Sequence, residues 1–415
     1  MNADAQQPST NTQQAPLRVM TYSHDSVGLG HLRRSVTMAS AMVARGPHVQ
    51  ALCLTGSLVP DLFPLPERCD VVKLPSIGKS ASGEYVSRRL PISPHAMSTL
   101  RSDLITATVR SFHPDVLLVD HTANGPRDEL LPVLRRLAHE GFQTRVVLGM
   151  RDVLDEPAMA RRELDRNQTF DVVRRYYDQV LVYGDRDIFD PIVEYRFPAD
   201  IAAKTAFTGP VVSPASHLAR RPRAASESPS ILVTPGGGED GYELLRSTVA
   251  ALRGPLRDAD LRATIVAGPL LADASYQSLE RAVCRDERIR LIRCSSDMHT
   301  LLSECDLVVG MGGYNTVYEC LARGVPLVAV PRTQPRLEQW ERCKRLAARG
   351  LLRVMTAAHA HDPHRMADVM LQELSSEHDR ERRLECLGAE EAARLCLSVG
   401  RCRGQAMPAF LRSGS

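Results

Sequence analysis

The chain has 415 residues, of which 43% are hydrophobic and 24% are charged, a composition typical of globular proteins rather than of wholly disordered chains. This length predicts two domains better than one, because a domain commonly holds about 100 to 200 residues. The formal net charge is only +3, so no nucleic acid is expected as a partner without a clustered basic face, and we interpret the many arginines as solvated surface.

Residues 1–16 are polar and are predicted to form a disordered leader rather than a signal peptide. No apolar run approaches the length of about 20 residues that a membrane-spanning helix needs, which predicts no transmembrane segment and leaves peripheral membrane contact open. The ten cysteines form no C-x-x-C pair. Cys53, Cys305 and Cys320 lie within apolar patterns, so we expect reduced thiols and a cytoplasmic location.

Short apolar runs alternate with amphipathic helical stretches, a pattern typical of parallel sheets with helices on both faces. The first series of strands is predicted at Leu17–Thr21, Val49–Leu54, Val71–Leu74, Val116–Asp120, Arg145–Gly149 and Gln179–Tyr183. The second series is predicted at Ser230–Thr234, Arg262–Ala267, Ile289–Arg293, Leu307–Gly310 and Pro326–Val330. The predicted fold class is α/β, with two doubly wound Rossmann-like domains facing a central cleft.

The two series are separated by residues 213–229, which are rich in Ser, Pro, Ala and Arg and are typical of a linker. We therefore predict an N-terminal domain over residues 17–212 and a C-terminal domain over residues 230–366. Residues 367–415 are helix-rich and are predicted to form a helical tail that packs back across the domains.

Two loops of the N-terminal domain carry titratable side chains directly after predicted strands. His24, Asp25 and His31 follow the first strand, while Asp120 and His121 lie at the end of the fourth. Imidazole has an unperturbed pKa of about 6.5, which suits general-base catalysis near neutral pH. Purely structural alternatives remain open, in which His31 caps or packs a helix and the other loop ends a strand before a capped helix.

Glycine-rich turns follow two strands of the C-terminal domain. Gly236–Gly238 come after Thr234, and Gly312 and Gly313 come after Gly310. Glycine lets the backbone approach a phosphate, and the free N–H groups at the start of the following helix favour an anion. In both places a tight turn without a ligand is the alternative.

A helix is predicted to begin around Asn315 or Thr316, whose side chains are expected to cap it. Glu319 lies one helical turn beyond Thr316, where its carboxylate is able to accept hydrogen bonds from both hydroxyls of a ribose; a solvated helix residue is the alternative. Glu338 and Gln339 open another helix after the next strand, at the same edge of the sheet. The two loops therefore predict one pocket.

The run from Ile289 to Leu351 resembles the donor site of GT-B fold glycosyltransferases, especially the family 28 type that includes the enzyme adding N-acetylglucosamine to the lipid-linked peptidoglycan precursor. The matching positions are Ser296–Met298, Cys305–Val309, Gly312–Gly313, Asn315–Thr316, Glu319, Gly324–Pro326, Pro331 and Glu338–Gln339. The resemblance implies a donor site formed by Gly237, Gly238, Met298, Gly312, Gly313, Asn315, Thr316, Glu319, Glu338 and Gln339. It implies that Glu319 binds the ribose, that the glycines and hydroxyls line the diphosphate, that Met298 lies near the base, and that the Gln339 region meets the sugar.

Residues 23–31 resemble the first glycine-rich loop of the same family, which ends in a Gly-His pair opening a helix. This implies that His31 is the catalytic base, with His24 or Asp25 as alternatives. The implied acceptor side is formed by His24, Asp25, Gly30, Asp120 and His121.

Two departures from the family pattern concern phosphate binding. Residues 120–125 (DHTANG) replace the family's second glycine-rich loop, so a lipid diphosphate acceptor is doubtful. Val212 and Ser213 stand where the peptidoglycan enzyme has an arginine shortly after the interdomain proline. The donor diphosphate must then be met by backbone amides or by another arginine.

The resemblance predicts a hexosyltransferase that moves a hexose or N-acetylhexosamine from a nucleotide diphosphate sugar, with UDP as the expected nucleotide, to a hydroxyl of an unidentified acceptor. Inversion is expected, with no metal and no cofactor besides the donor, because loop amides and helix N-termini are able to stabilise the leaving diphosphate. A nucleotide-sugar epimerase of the same fold would convert the donor without an acceptor. A non-catalytic nucleotide-sugar-binding protein would bind the donor without turnover.

Overall fold

The computed structural model describes residues 15–25, 29–80, 84–217, 224, 227–376 and 383–401. Most of the predicted leader, much of the predicted linker and residues 402–415 of the predicted tail lie outside the described residues.

The N-terminal part of the chain builds an α/β layer structure. Its strands are β1 (Leu17–Ser23), β2 (Val49–Thr55), β3 (Cys69–Lys73), β4 (Ile77–Lys79), β5 (Tyr85–Ser87), β6 (Val116–Asp120), β7 (Arg145–Arg151), β8 (Gln179–Tyr183) and β9 (Thr205–Phe207). Its helices are α1 (Gly30–Val43), α2 (Pro94–Phe112), α3 (Leu131–His139), α4 (Pro157–Arg166), α5 (Thr169–Tyr176), α6 (Pro191–Glu194) and α7 (Ala199–Ala202). Within the described residues the sheet is parallel with the order β3-β2-β1-β6-β7-β8-β9, and β4 and β5 form a separate antiparallel hairpin.

The C-terminal part repeats the same plan. Its strands are β10 (Ser230–Thr234), β11 (Arg262–Val266), β12 (Ile289–Ile292), β13 (Leu307–Gly310), β14 (Leu327–Ala329) and β15 (Arg353–Val354). Its helices are α8 (Tyr242–Arg253), α9 (Asp273–Val283), α10 (Met298–Glu304), α11 (Tyr314–Arg323), α12 (Glu338–Ala347), α13 (Ala357–Ala360), α14 (Pro363–Ser375) and α15 (Gly388–Arg401). The described strands form one parallel sheet in the order β12-β11-β10-β13-β14-β15.

The strand order reverses between β1 and β6 in the first sheet and between β10 and β13 in the second. At such a reversal the loops after two neighbouring strands diverge and leave a crevice at the carboxyl edge of the sheet. Four of the five loops that the sequence analysis singled out follow these four strands, and the fifth, which leads to Glu338, follows β14. Fold topology therefore explains why they come together.

The predicted α/β architecture with two doubly wound sheets is confirmed. The short strands β9 and β15 and the β4–β5 hairpin were not predicted, because runs of two or three residues carry too little periodicity. The prediction of α11 was wrong in detail. The helix begins at Tyr314 with Gly313 as its N-cap and without a side-chain cap, so Asn315 and Thr316 lie inside its first turn and do not cap it.

The chain crosses between the two parts twice, at adjacent places. The first crossing follows β9, and the second precedes α15. Gly388 N donates to Pro210 O at 3.1 Å, and Val211 pairs with Leu387 in an isolated bridge, so the two crossings are hydrogen-bonded to each other. Beyond the second crossing α15 packs on the N-terminal domain, where Gly400 lies directly against Val116 of β6.

A buried ion pair ties the two domains together beside these crossings. Arg342 Nε and Nη2 each lie 2.8 Å from a carboxylate oxygen of Asp152, and Tyr318 OH donates to the same carboxylate at 2.7 Å. The side chains of Arg342 and Asp152 are 0% and 1% exposed. Removing one partner of such a pair leaves an uncompensated buried charge, so this contact is a strong constraint on the interface.

The hydrophobic core occupies both faces of both sheets. One continuous buried cluster runs through the two domains and the last helix, and includes Val19, Leu232 and Ala392. All nine described cysteines are free thiols, and Cys53 and Cys305 are buried as expected. Within the described part, none of the helices combines the length and apolar character needed to span a bilayer.

Candidate functional site

The loops after β1 and β6 bring His31 and Asp120 into contact. His31 lies in the first turn of α1, and its Nδ1 is 2.5 Å from Oδ2 of Asp120, the last residue of β6. An ionised carboxylate only accepts hydrogen bonds, so Nδ1 of His31 is the donor in this contact, and Nε2 is the ring nitrogen that Asp120 does not engage. The sequence analysis assigned both residues to the acceptor side but did not predict that they contact each other.

Arg34 fixes Asp120 from the other side. Its Nε and Nη2 lie 2.8 and 2.6 Å from the two carboxylate oxygens. Burial alone would raise the pKa of Asp120, but Arg34 and His31 outweigh it and hold that pKa well below its usual range. Asp120 therefore stays ionised and orients the imidazole of His31.

Two further imidazoles surround His31. The ring centroids of His24 and His121 lie 4.7 and 5.4 Å from that of His31. Burial lowers the pKa of both well below the usual value, assisted by His31 at His24 and by Arg151 at His121. Both rings are therefore neutral near pH 7. His121 also has a φ of +76°, a left-handed conformation that is uncommon for a residue other than glycine and often marks functional sites.

Asp25 serves the fold instead of facing a cavity. Its Oδ2 accepts hydrogen bonds from the hydroxyls of Ser23 and Thr55 at 2.5 Å, and its Oδ1 accepts one from Leu32 N at 2.8 Å. These contacts brace the start of α1. Gly30, by contrast, lines the cleft. Residues 26–28 of this loop are outside the described residues.

The glycine turns of the C-terminal domain lie across the cleft from His31. Gly238 has a φ of +90°, and a Cβ there would come within 2.4 Å of Ala267 O; Gly312 has a φ of +76°, and its Cβ would come within 2.5 Å of Cys343 Sγ. Both positions therefore require glycine. Gly313 differs, because a Cβ there would meet nothing within 4 Å and would project into open space at the start of α11.

Glu319 is buried and paired, which rules out the alternative of a solvated helix residue. It is 2% exposed, and its Oε1 lies 2.7 Å from Nη2 of Arg33, which comes from α1 of the other domain. Burial raises the pKa of Glu319, and Arg33 and Arg323 oppose that rise. The carboxylate predicted to hold a ribose therefore lies in the cleft with a cation from the opposite domain beside it.

Glu338 and Gln339 lie at the start of α12 and contact the loop that precedes it. Oε1 of Glu338 is 3.0 Å from Nη2 of Arg332, and its Oε2 is 2.7 Å from Nη2 of Arg151. Burial would raise the pKa of Glu338, but Arg151, Arg342 and Arg332 lower it to about 2. Gln339 Oε1 accepts from Arg332 N at 3.1 Å.

Two cavities meet at this place. The cleft cavity has a volume of about 200 Å³ and is lined by both glycine turns, by α1 and by every predicted donor residue except Gly312. The side cavity has a volume of about 720 Å³ and lies against the N-terminal domain, where it is lined by His24, His121 and the β4–β5 hairpin. The two share His31, Arg151, Glu239, Asp240, Arg332 and Glu338. His31 thus lies where the two spaces join.

Comparison with known proteins assigns the C-terminal part of this site. Residues 231–396 match the sequence profile described as the glycosyltransferase family 28 C-terminal domain. This part of the chain is therefore similar to the C-terminal domain of family 28 glycosyltransferases. The matched residues include both glycine turns, Glu319 and the start of α12.

A curated relative matches about half of the chain, and two solved structures share its overall fold. The chain is 24% identical over 231 residues to an uncharacterised glycosyltransferase of Methanopyrus kandleri, a match that spans 54% of this chain and only 62% of that protein. The glycosyltransferase of kitacinnamycin superposes with a TM-score of 0.62 at 16% identity and covers 94% of this chain and 99% of its own. UDP-GlcNAc 2-epimerase from Neisseria meningitidis bound to UDP-GlcNAc gives a TM-score of 0.58 at 11% identity, covering 92% and 99%. These likenesses show the GT-B fold.

The sequence analysis interpreted the arginines of the chain as solvated surface. That interpretation was wrong for the arginines that line the cleft cavity, which are Arg33, Arg34, Arg151 and Arg332. Arg33 and Arg34 follow His31 on the same helix, Arg151 ends β7, and Arg332 follows β14. Their positions directly after strands or at a helix start were the available signal. No described group of three or more His, Cys, Asp or Glu side chains is arranged to hold a metal ion.

Proposed function

We propose that this protein is an inverting hexosyltransferase that uses a UDP-linked hexose or N-acetylhexosamine as donor and a hydroxyl compound as acceptor. The donor occupies the cleft cavity, and the acceptor occupies the side cavity. The observation that carries the proposal is the His31–Asp120 dyad, which lies at the junction of the two cavities and opposite the part of the chain that is similar to the family 28 C-terminal domain.

In the proposed reaction, Nε2 of His31 takes the proton of the acceptor hydroxyl. The acceptor oxygen attacks the anomeric carbon as the bond to the diphosphate oxygen breaks, and the bonding electron pair leaves with UDP. A single displacement inverts the anomeric configuration. Asp120 contributes by orienting the imidazole and by stabilising the imidazolium that forms.

The leaving diphosphate gains one negative charge as its bond to the sugar breaks, and this charge must be stabilised. The N-terminus of α11, the open face at Gly313 and the arginines of the cleft cavity offer positive potential at that place. We therefore propose that catalysis needs neither a metal nor another cofactor. Glu319 is proposed to accept hydrogen bonds from the ribose hydroxyls, with Arg33 opposing the rise in the pKa of its carboxyl that burial causes.

A thermal-shift screen of nucleotides and nucleotide sugars tests the donor side. UDP and UDP-sugars are expected to raise the melting temperature of the wild-type protein, and Glu319→Ala is expected to lose most of that rise because the ribose loses its acceptor. Equal shifts in the two proteins would refute the role of Glu319. Absence of any shift with all nucleotides tested would refute the proposed donor class.

A nucleotide-sugar epimerase is the second candidate, since an epimerase bound to UDP-GlcNAc has a similar fold. Incubation of the protein with UDP-sugar alone distinguishes the two functions. A glycosyltransferase leaves the sugar configuration unchanged and releases UDP only when an acceptor is added. Conversion of the sugar to its epimer without an acceptor would favour the second candidate.

A further inference from the structure

The side cavity is lined by three cations for which the described residues provide no carboxylate partner. Lys79 of β4, Arg127 after β6 and Arg166 at the end of α4 all line it, and none has a carboxylate within ion-pair distance among the described residues. Lys79 Nζ instead lies 5.2 Å from the ring centre of Tyr85. Unpaired cations that converge on a cavity favour an anionic occupant.

Most of the carboxylates that line the same cavity are already neutralised. Glu239, Asp240 and Glu338 each pair with an arginine, and Asp128 accepts a hydrogen bond from the amide of Asn124. Within the described part of the chain, Glu84 and Asp128 are the lining carboxylates without a cationic partner, because the neutral amide of Asn124 does not offset the charge of Asp128. Three unpaired cations therefore face two carboxylates that lack a cationic partner.

Two of these cations line the side cavity together with the ion pair of Arg336 and Glu163. Arg336 Nη2 lies 2.7 Å from Glu163 Oε1. Burial raises the pKa of Glu163, but Arg336, Lys79 and Arg166 together bring it below the usual value. The pKa of Lys79 is lowered, first by burial and next by Arg336. Three cations and one carboxylate leave an excess of positive charge, which an anion would relieve.

The rest of the side cavity fits a larger molecule than a simple ion. Apolar side chains form one wall, and they are Leu148, Met150, Leu154, Ala160 and Leu164. On another wall, Nδ1 of His24 and Nδ1 of His121 are buried and have no hydrogen-bond partner among the described residues. Such nitrogens are costly to bury unless a ligand supplies the partner. Charged, apolar and hydrogen-bonding surfaces thus line one space of about 720 Å³.

We propose that the acceptor carries an anionic group, a phosphate or a carboxylate, which is bound by Lys79, Arg166 and Arg336. This inference rests on the proposed function, because it assigns the acceptor to the side cavity. The apolar part of the acceptor packs against the wall around Leu154, and its hydroxyl reaches His31. The site differs from that of the donor diphosphate, since none of the three cations lines the cleft cavity.

Calorimetric titration with three probes in the presence of saturating UDP tests this assignment. UDP fills the donor site, so that a phosphate probe cannot bind there. Hexyl phosphate has both an anionic and an apolar part, hexyl β-glucoside has no charge, and inorganic phosphate has no apolar part. The variant is the double replacement Lys79→Ala with Arg166→Ala, and both side chains are exposed, so the fold is expected to be retained. Arg162→Ala is the matched control, because Arg162 is an exposed arginine of α4 outside the cavity lining.

Hexyl phosphate is expected to bind the wild type and the Arg162 control alike, and to bind the double variant about tenfold or more weakly, since two charge-assisted contacts are lost. Inorganic phosphate should compete with it, more weakly because it lacks an apolar part. Hexyl β-glucoside should bind weakly and equally to all three proteins. Equal binding of hexyl phosphate to the wild type and the double variant would overturn the assignment, as would a glucoside that binds as tightly as the phosphate.

A UDP titration precedes each experiment and tests the proposed donor separately from the proposed anionic acceptor. If the wild type binds UDP and hexyl phosphate binds the wild type and the double variant equally, the anionic acceptor is refuted and the proposed function is unaffected. Failure of the wild type to bind UDP refutes the proposed donor. In that case, titration of hexyl phosphate without UDP into the wild type and the double variant still shows whether Lys79 and Arg166 bind a phosphate.

Discussion

Replacing Arg33 by glutamine is expected to weaken UDP binding in a pH-dependent manner. Arg33 Nη2 lies 2.7 Å from Glu319 Oε1, and the side chain of Glu319 is only 3% exposed. Burial raises the pKa of Glu319, and Arg33 is the stronger of the two cations that oppose this rise. Without Arg33 the pKa rises further, so more of the carboxyl is protonated at pH 6 than at pH 8. A protonated carboxyl has one acceptor fewer for the ribose.

The size of the effect follows from the geometry of this pair. A hydrogen bond to a charged group contributes about 1.5 to 3 kcal/mol, which corresponds to about 10- to 150-fold in affinity. Arg323 remains close to Glu319 after the replacement, so the lower end is expected. UDP affinity should fall about tenfold at pH 6 and by a smaller factor at pH 8.

Calorimetric titration of UDP at both pH values measures this, with the wild type as the reference at each pH so that ionisation of the nucleotide itself cancels. Arg88→Gln is the control, because Arg88 also reaches across the cleft, to Glu239 at 3.1 Å, but with side chains 27% and 38% exposed. Such exposed pairs contribute about 0 to 1 kcal/mol, so a change below about fivefold without a pH trend is expected. Unchanged UDP affinity in Arg33→Gln at both pH values would refute the reasoning. Tighter binding would mean that Arg33 blocks the carboxylate instead of supporting it.

Four other replacements test the base, the glycine turn and the interface. His31→Ala should lower acceptor-dependent UDP release by about 10²- to 10⁴-fold while UDP affinity stays at the wild-type level, and a parallel loss of affinity would count against a role as base. Gly312→Ala should lower the free energy of unfolding in urea, because the φ of +76° and the sulfur of Cys343, 2.5 Å from the new Cβ, both oppose alanine. Gly313→Ala should keep the wild-type stability but lose UDP affinity, because its Cβ would project into open space. Asp152→Ala should lower the free energy of unfolding by about 3 to 5 kcal/mol, since Arg342 is left buried without a counter-ion; a loss below about 1 kcal/mol would show that the pair is dispensable.

The strands that carry the site were predictable because they are buried on both faces. Val116–Asp120 and Leu307–Gly310 have every residue buried, so a continuous apolar run followed by polar or glycine residues marks their ends without ambiguity. The loops that follow them, and hence the approximate place of the site, could be derived from this pattern alone.

The partners within the site could not be derived in the same way. Nothing in the spacing of residues 31 and 120 shows that they touch, because their contact depends on β1 and β6 being neighbours in the sheet. The ion pair between Arg33 and Glu319 depends on how two domains face each other, which local sequence does not encode. For the same reason the sequence alone does not distinguish the arginines of the cleft from surface arginines, because most of the carboxylates that they contact are distant in the sequence.

The paired crossings between the domains restrict how the cleft is able to change its width. The two crossing segments, at residues 209–212 and 387–388, are adjacent and hydrogen-bonded to each other. Together they allow the domains to bend about one hinge axis and resist rotation of one domain against the other about any other axis. The buried contact of Asp152 with Arg342 also holds the domains together, whereas the contact of Arg88 with Glu239 is partly exposed, so opening of the cleft should break the Arg88 contact first. A fragment that ends at residue 212 would lack α15 and would expose the apolar surface that this helix covers, so the first domain is not separable from the last fourteen residues of the described chain.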